Sequence, residues 1–410
     1  MCQHDDPQQK LPVLEHRLSD LLSHKAGPYL QIEADLLRGV SLRSTLRGLG
    51  WLWRSHRFKV PDATWRRQWQ TSRPVKTYKV FVSHTWKTSG LPKVLALMLS
   101  SCWWHALASW AVTCAAVIVV HAYVPSLPMP FSFQCRVMGF VAACPLAPWT
   151  LIAGSLGLIV GLFGGPYYPH SLWWGSDSDM CFLDVACIHQ ADDELKERGI
   201  YGIGGFLRHA EELRVLWTPP YLSRLWCIFE LAAYRVANPS GRITLAPIFI
   251  EHSVLFLLPA MWSASWSYWL ALTIGLQDYG YLMSEALPIG FAMLPVLGFV
   301  HGLRRLFCEK HRLFDDLQSF KLESAECTEL FDHIFVNSAI QKWYGSTEEF
   351  EDFVKGPLFC EISGNSTQAV DVPLQYCLLL STGPLSVGMD ETISLWAGGA
   401  STPIASWLFC

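Results

Sequence analysis

From Val94 to Val124 the chain runs without one Asp, Glu, Lys or Arg, and Val137–Phe163, Val254–Leu276 and Ala286–Leu303 do the same. Crossing about 30 Å of hydrocarbon takes roughly 20 apolar residues in a helix, and ionised side chains at that depth are costly. The four runs therefore read as membrane helices; buried helices of a large soluble core are the alternative, but such helices are ordinarily shorter. The fourth run is the shortest and carries Pro288 and Pro295. Composition agrees with the membrane reading, because charged residues make up 16% of the chain where soluble domains carry about 25%. The 19 tryptophans point the same way, since Trp favours the bilayer interface.

The runs form two pairs with short links, Pro125–Arg136 and Gln277–Glu285, in which Arg136 is the one basic residue. Cations crowd the segment from Arg38 to Lys79, where Asp62 is the one acid, and Arg304, Arg305, Lys310 and Arg312 follow the fourth run. Basic residues stay on the cytosolic side. The expected topology is a multi-pass integral membrane protein with both termini and residues 164–253 in the cytosol. Trp51, Trp53, Trp65 and Trp69 lie among the N-terminal cations, as in a segment resting on anionic headgroups or in a solvated basic linker. A net charge of −4 gives no bulk attraction to nucleic acid, so the expected partners are the lipid bilayer and other protein. The 13 cysteines form no C-x-x-C pair and read as reduced, mostly buried thiols.

Outside the apolar runs, "TYKVFVS" (77–83), "CFLDVACI" (181–188), "LRVLW" (213–217) and "ITLAPIFI" (243–250) have strand character. The last three are nearly continuous apolar runs, as parallel strands covered on both faces require. Helical stretches over 201–212 and 223–236 link the second strand to the third and the third to the fourth. Alternation of this kind predicts an α/β fold with a right-handed parallel sheet. Its first crossover is replaced by a transmembrane hairpin, and a second hairpin follows the last strand. The expected organisation is a basic, Trp-containing segment (1–76), the first strand (77–93), hairpin 1 (94–163), the rest of the sheet (164–253), hairpin 2 (254–303), a cytosolic helical segment (304–358) and a tail (359–410). Ser346 and Glu349 form a capping box. In the tail, "VPLQYCLLLSTGPLSV" is too interrupted by polar residues and a Gly-Pro to read as a fifth span. The Asn365 sequon falls on the side where it goes unused.

These residues carry a resemblance. "VFVSHTW", "FLDVACIHQADDELKERGI" and "FLRHAEELRVLWTPPYLSRLWCIFELAAY" resemble, in order, the first strand, the second strand with its loop, and the strand–turn–helix of TIR (Toll/interleukin-1 receptor) domains, with Trp-Cys-x-x-Glu-Leu on the last helix. The layout is similar to multi-span TIR-like proteins abundant in some unicellular algae, and "FLDVACIHQADD" with "RLWCIFELA" is distantly similar to HET (heterokaryon incompatibility) domains. The likeness covers about 120 residues. It departs from the family in the displaced first crossover helix and in entering an apolar run where a fifth strand is expected.

The resemblance implies a flavodoxin-like sheet and two activities. One is signalling by TIR self-association, a homo-oligomer on the membrane whose likeliest contact is the loop Asp192–Gly199 with Arg198. The other is cleavage of NAD as substrate, with no cofactor required. In catalytic members the Glu at the position of Glu230 promotes cleavage of the nicotinamide–ribose bond. A carboxylate near the anomeric carbon stabilises the oxocarbenium-like transition state, as in glycoside cleavage. Trp226, four residues earlier, shares its helical face and would stack on a flat ring of the nucleotide. Ser83 and His84 end a strand at the carboxyl edge where open α/β sheets bind ligands, and Asp184 would anchor a loop or a ribose. Ser223 is the expected N-cap of the Glu230 helix. Against this, such a Glu also serves as a plain polar contact within the fold. His84, His189 and His209 lack zinc spacing with Cys181 and Cys187, so no metal is expected. "GIYGIGG" (199–205) lacks the full phosphate-binding fingerprint and reads as a mobile loop. A channel or transporter ranks last, because the apolar runs offer only His105, His121 and His301 as ionisable groups.

Overall fold

The computed structural model describes residues 29–54, 61–123, 127–137, 140–169, 179–274, 287–327, 329–361 and 373–400. The Asn365 sequon and the link 277–285 lie outside them. The chain divides into two compact units.

The first unit, Met1–Val94, Trp173–Ile248 and Glu309–Asp371, is built on a six-stranded, mostly parallel sheet. Its strands are β1 (Arg38–Ser41), β2 (Arg73–Pro74), β3 (Val80–His84), β6 (Met180–Phe182), β7 (Glu212–Trp217) and β8 (Arg242–Pro247), in the order β2-β1-β6-β3-β7-β8. β3 pairs in parallel with both β6 and β7, and β7 with β8; β1 and β2 add an antiparallel edge. Every residue of β3 is buried, and Phe81 stacks on Phe182 at 4.3 Å. The four expected strands are present, in a mixed α/β fold.

Two of them end early. β6 stops at Phe182, and Asp184–Cys187 form a helical turn in which Asp184 Oδ1 accepts the Val185 N–H at 2.7 Å. β8 stops at Pro247, and Ile248 opens a helix. The edge strands come from the basic segment, where charge hides the strand pattern. Arg38 donates from Nε to Ser72 Oγ at 2.9 Å and stands over the Trp69 ring at 4.7 Å. Trp53, on α1 (Leu42–Arg54), is 2% exposed. Trp53 thus belongs to the core of the sheet unit, while Trp51, Trp65 and Trp69 are half-buried at its surface.

After α2 (Asp62–Thr71), and beyond the apolar runs, come α5 (Asp193–Tyr201), α6 (Ile203–Arg208) and α7 (Leu225–Ala237). The expected loop 192–199 is helical: Asp192 caps α5 by accepting the Leu195 N–H at 3.0 Å. Arg198 is committed within the chain, to Glu33 and, at 3.6 Å, to Asp35. "GIYGIGG" is not a loop either. A Cβ on Gly204 would stand 2.0 Å from the Tyr29 carbonyl oxygen, so that glycine lets two backbones meet. Ser223 does not cap α7; its hydroxyl donates to Pro220 O at 2.9 Å, and Arg224 holds the cap position without a side-chain bond. Further on, α10 (Leu330–Tyr344) packs its Phe335 against Phe229 of α7, and Ser346 Oγ accepts the Glu349 N–H at 3.1 Å to open α11 (Thr347–Phe353), as the capping box predicts.

The second unit is Leu95–Leu172, Phe249–Cys308 and Val372–Cys410. It contains most of α3 (Gly90–Tyr123), the hairpin β4 (Phe131–Val137) and β5 (Phe140–Leu146), α4 (Trp149–Gly164), most of α8 (Ile248–Thr273) and of α9 (Leu287–Gln318), and α12 (Leu374–Ala397). Among the described residues, three helices are long and apolar enough to cross a membrane: Gly90–Tyr123, Trp149–Tyr167 (α4 with its terminal turn) and Ile248–Thr273. The uncharged run 137–163 is not one helix. Its first part pairs as β5, and the helix begins only at Trp149. α4 meets α3 through glycine: a Cβ on Gly161 would stand 2.2 Å from the His105 carbonyl oxygen, the close approach that small residues permit.

Candidate functional site

The first unit holds a cavity of about 340 Å³. Its wall is built at the carboxyl ends of β3 and β6 and on the first turns of α7, the edge at which open α/β sheets bind ligands. His84, Asp184, Trp226 and Glu230 all line it. Ser83 does not; it is buried behind Glu230, with its hydroxyl donating to Glu230 Oε2 and lying 2.5 Å from Tyr221 Oη.

Glu230 is half-buried. Loss of hydration pushes its carboxyl up to about 8; the Ser83 hydrogen bond pulls the other way, and the Asp184 charge adds to the rise. With these surroundings Glu230 is largely a neutral acid at pH 7. Burial also raises the Tyr221 phenol and the Cys227 thiol well above their ordinary values. Asp184 accepts from the Trp86 indole N–H at 2.5 Å, and its Oδ1 lies 3.9 Å from His84 Nε2. The four lining residues expected from the sequence thus share one wall, but in two pairs of contacts, Glu230 with Ser83 and Asp184 with His84 and Trp86.

Trp226 is fixed by a partner absent from the sequence argument. Its indole N–H donates to Asp332 Oδ2 at 3.0 Å, Tyr201 donates to the other oxygen at 3.0 Å, and Phe229 and Phe335 pack at 5.4 and 6.1 Å. The ring still borders the cavity, so it is positioned in advance for a flat ligand. Lys93 is buried and donates from Nζ to Thr85 O at 2.5 Å, holding the β3 loop whose His84, Thr85 and Trp86 form the wall. A lysine at the border of an uncharged run was the available signal for it. Tyr221 sits in "PPYLS" and offered none.

Two further cations line the cavity, Lys196 and Arg224. Arg224 lies 3.6 Å from Glu326 Oε2, and the same oxygen accepts from Lys87. That hydrogen bond, then the Lys87 and Arg224 charges, hold the Glu326 carboxyl below its ordinary value. Comparison with family models, with curated proteins and with solved structures returns no match.

Proposed function

We propose that this chain is a membrane-anchored TIR-like protein whose sheet unit binds NAD in this cavity and cleaves its nicotinamide–ribose bond with Glu230. The observation that carries the reading is a half-buried carboxyl, bonded to Ser83, facing a cavity of about 340 Å³ at the carboxyl edge of the sheet. The parallel strands, numbered by their order in the chain, stand 2-1-3-4 across the sheet, which supports a flavodoxin-like fold. The three apolar helices and the cations before and after the apolar runs support a multi-pass protein with the sheet unit in the cytosol.

The chemistry follows from the site. The nicotinamide ring of NAD is cationic, and its positive charge beside Glu230 favours loss of the Glu230 proton. The carboxylate then faces the positive charge that builds on the ribose as the C–N bond breaks. Nicotinamide leaves neutral with the bonding electron pair, water adds to the ribose carbon, and a proton is released with ADP-ribose. Trp226 stacks on a flat ring, and Lys196 and Arg224 meet the diphosphate.

A second reading has its own observation. Ser83, itself in contact with Tyr221, occupies Glu230 as an ordinary internal contact would, and the unit would then act by self-association on the membrane, where tethering raises effective concentration. Arg198 pairs with Glu33 and Asp35 within the chain, so a contact through it would have to displace these part-exposed ion pairs. Full-length protein in liposomes, followed for NAD loss and nicotinamide release, separates the two. Cleavage lowered at least 100-fold by Glu230→Gln is the expected result, a transition-state effect of about 3 kcal/mol. No turnover even at high surface density overturns the enzyme reading. Turnover that survives Glu230→Gln moves the catalytic role to Asp184.

A further inference from the structure

Glu326 comes from outside the strands and helices that form the cavity, yet its backbone is pinned to the cavity rim. Its N–H donates to Ser223 O at 2.7 Å, and its carbonyl accepts the Leu225 N–H at 3.3 Å. So anchored, it presents one carboxylate oxygen to Lys87 and Arg224 together. Arg224 lines the cavity and Lys87 follows the cavity-lining Trp86. An anion gripped by two cations at the mouth of a cavity is what a bound phosphate looks like, and here the chain supplies the anion itself.

We infer that Lys87 and Arg224 form a phosphate subsite for a soluble diphosphate ester, and that Glu326 occupies it until ligand arrives. The inference deepens the proposed function and names how its substrate is held. Glu326, Lys87 and Arg224 are all substantially solvated, with side-chain exposures of 57%, 42% and 29%. Exposed ion pairs of this kind are worth little, so Glu326 swings aside at small cost while its backbone stays in place. Arginine suits the subsite because its fork meets phosphate oxygens in pairs.

The test uses full-length protein in nanodiscs of neutral lipid, with inorganic pyrophosphate and ADP-ribose as probes. Glu326→Gln should tighten both by about two- to five-fold, the modest gain expected when a weak, exposed ion pair no longer competes for the two cations. Arg224→Gln should weaken both, and raised salt should weaken the wild type. Unchanged or weaker binding by Glu326→Gln overturns the inference, even where NAD is cleaved. Tightening without any NAD cleavage upholds it while the enzyme reading fails. Binding that requires anionic lipid in the nanodisc, with no response to pyrophosphate, also overturns it by assigning the subsite to headgroups.

A separate set of contacts concerns α12, which the sequence alone reads as a poor span. Along its length, within the second unit, its neighbours change in strict order. Tyr376 donates to Glu251 Oε1 at 3.0 Å, near the start of α8. Gly383 faces Met261, Trp262 and Ser265, about three to four turns further along α8. Thr150 donates from Oγ1 to Ser386 O at 2.6 Å. Asp390 then accepts the Thr150 and Leu151 N–H groups at 2.8 and 3.1 Å, capping the first turn of α4. Last, Ser394 donates to Pro145 O, and Gly398 faces Cys144 of β5. α12 therefore runs parallel to α8 and antiparallel to α4. At 24 residues it is about 36 Å long, enough for a bilayer.

We propose that α12 is a further membrane-crossing helix that delivers residue 400 to the membrane face opposite the one at which α8 starts. This rests on the membrane reading, in which α8 starts at the cytosolic face, directly after β8, and α4 starts at the other face, after the link. The sequence-based expectation of a cytosolic C-terminal end is then replaced. The reason is physical: Thr382, Ser386 and Asp390, which lower the apolar score of the segment, are buried, and Ser386 and Asp390 bond to α4, so lipid does not see them. The test is an impermeant maleimide on intact cells, with the modified residue mapped by mass spectrometry in full-length Ala400→Cys and Asp193→Cys variants. Labelling of position 400 from outside, with position 193 labelled only after permeabilisation, is expected. Labelling of both only after permeabilisation overturns the proposal, and Trp396→Cys repeats the measurement on a residue already exposed.

Discussion

The two units bury their acids by different means. In the sheet unit, buried acids meet cations. Glu212 takes Arg214 at 2.9 Å and also Arg242, and Arg235 forks onto both oxygens of Glu361 at 2.7 Å. In the helical unit, acids meet backbone and hydroxyl donors: Asp390 the first N–H groups of α4, Glu251 the phenol of Tyr376. The contrast teaches where an ion pair is affordable. Beside water, two opposite charges lose little hydration on pairing; in a dry setting the desolvation of both can exceed their attraction, and a neutral donor set is the better partner.

Glu230 breaks that pattern. It belongs to the sheet unit, yet its carboxyl is held by Ser83 with Tyr221 alongside and is pushed up to about 8. A carboxyl treated as though it were in a dry unit, but set beside a cavity, is the kind of perturbed acid that marks a working site.

Three substitutions would break or sharpen the comparison. Asp390→Leu should have the largest effect. It leaves two N–H groups at the start of α4 without an acceptor, at 1–3 kcal/mol each, so thermal unfolding in detergent should show a loss of about 4 kcal/mol. Asp390→Asn, which keeps one acceptor, should lose about half as much. A neutral result for Asp390→Leu would mean that the helical unit does not depend on internal donors and acceptors.

Glu230→Gln comes next and should stabilise, in a pH-dependent way. The folded value lies above the unfolded one of about 4.3, so the fold holds a proton that the unfolded chain releases. The resulting penalty is absent below about pH 4, grows as pH rises through about 8, and is then constant. Glutamine removes it, and the variant should match wild type at pH 4 and exceed it by about 3 kcal/mol at pH 9, the roughly 5 kcal/mol of the full shift being reduced because the half-buried carboxyl keeps part of its hydration. Equal stability of the two at both pH values would place Glu230 among the ordinary paired acids of its unit.

The smallest effect belongs to Glu212. Burial alone would raise its carboxyl, but Arg214 and Arg242 outweigh burial and hold it below the ordinary value. A depressed folded value contributes stability above the unfolded value of about 4.3, and that stability is lost as pH falls through the folded value. Glu212→Gln should therefore cost about 1 kcal/mol at pH 7 and flatten the acid limb of the stability curve. An acid limb unchanged in the variant would show that these exposed arginines contribute nothing measurable.

Much of this was legible in the residues. Apolar runs such as "VFVS" and "LRVLW" can be buried on both faces only as inner strands, so the four parallel strands follow from their composition, and the helix from Leu225 to Ala237 follows from its spacing. His84, Asp184, Trp226 and Glu230 were placed near one another because strand ends and the next helix start must meet at one edge of an α/β sheet. Long uncharged runs point by themselves to helices apolar enough to cross a membrane, Gly90–Tyr123, Trp149–Tyr167 and Ile248–Thr273 among the described residues, since length and charge decide that cost. What the tertiary structure decided were matters of partner and of side. Ser83 faces Glu230 rather than the cavity, Asp332 fixes Trp226, and Arg198 is spent on Glu33, because each depends on contacts between residues far apart in the chain. The same holds for β1 and for α12. Arg38 and Asp390 look like surface charges when counted one by one, and only Ser72 with the Trp69 ring in the first case, and the Thr150 and Leu151 N–H groups in the second, show Arg38 half-buried and Asp390 buried within their units.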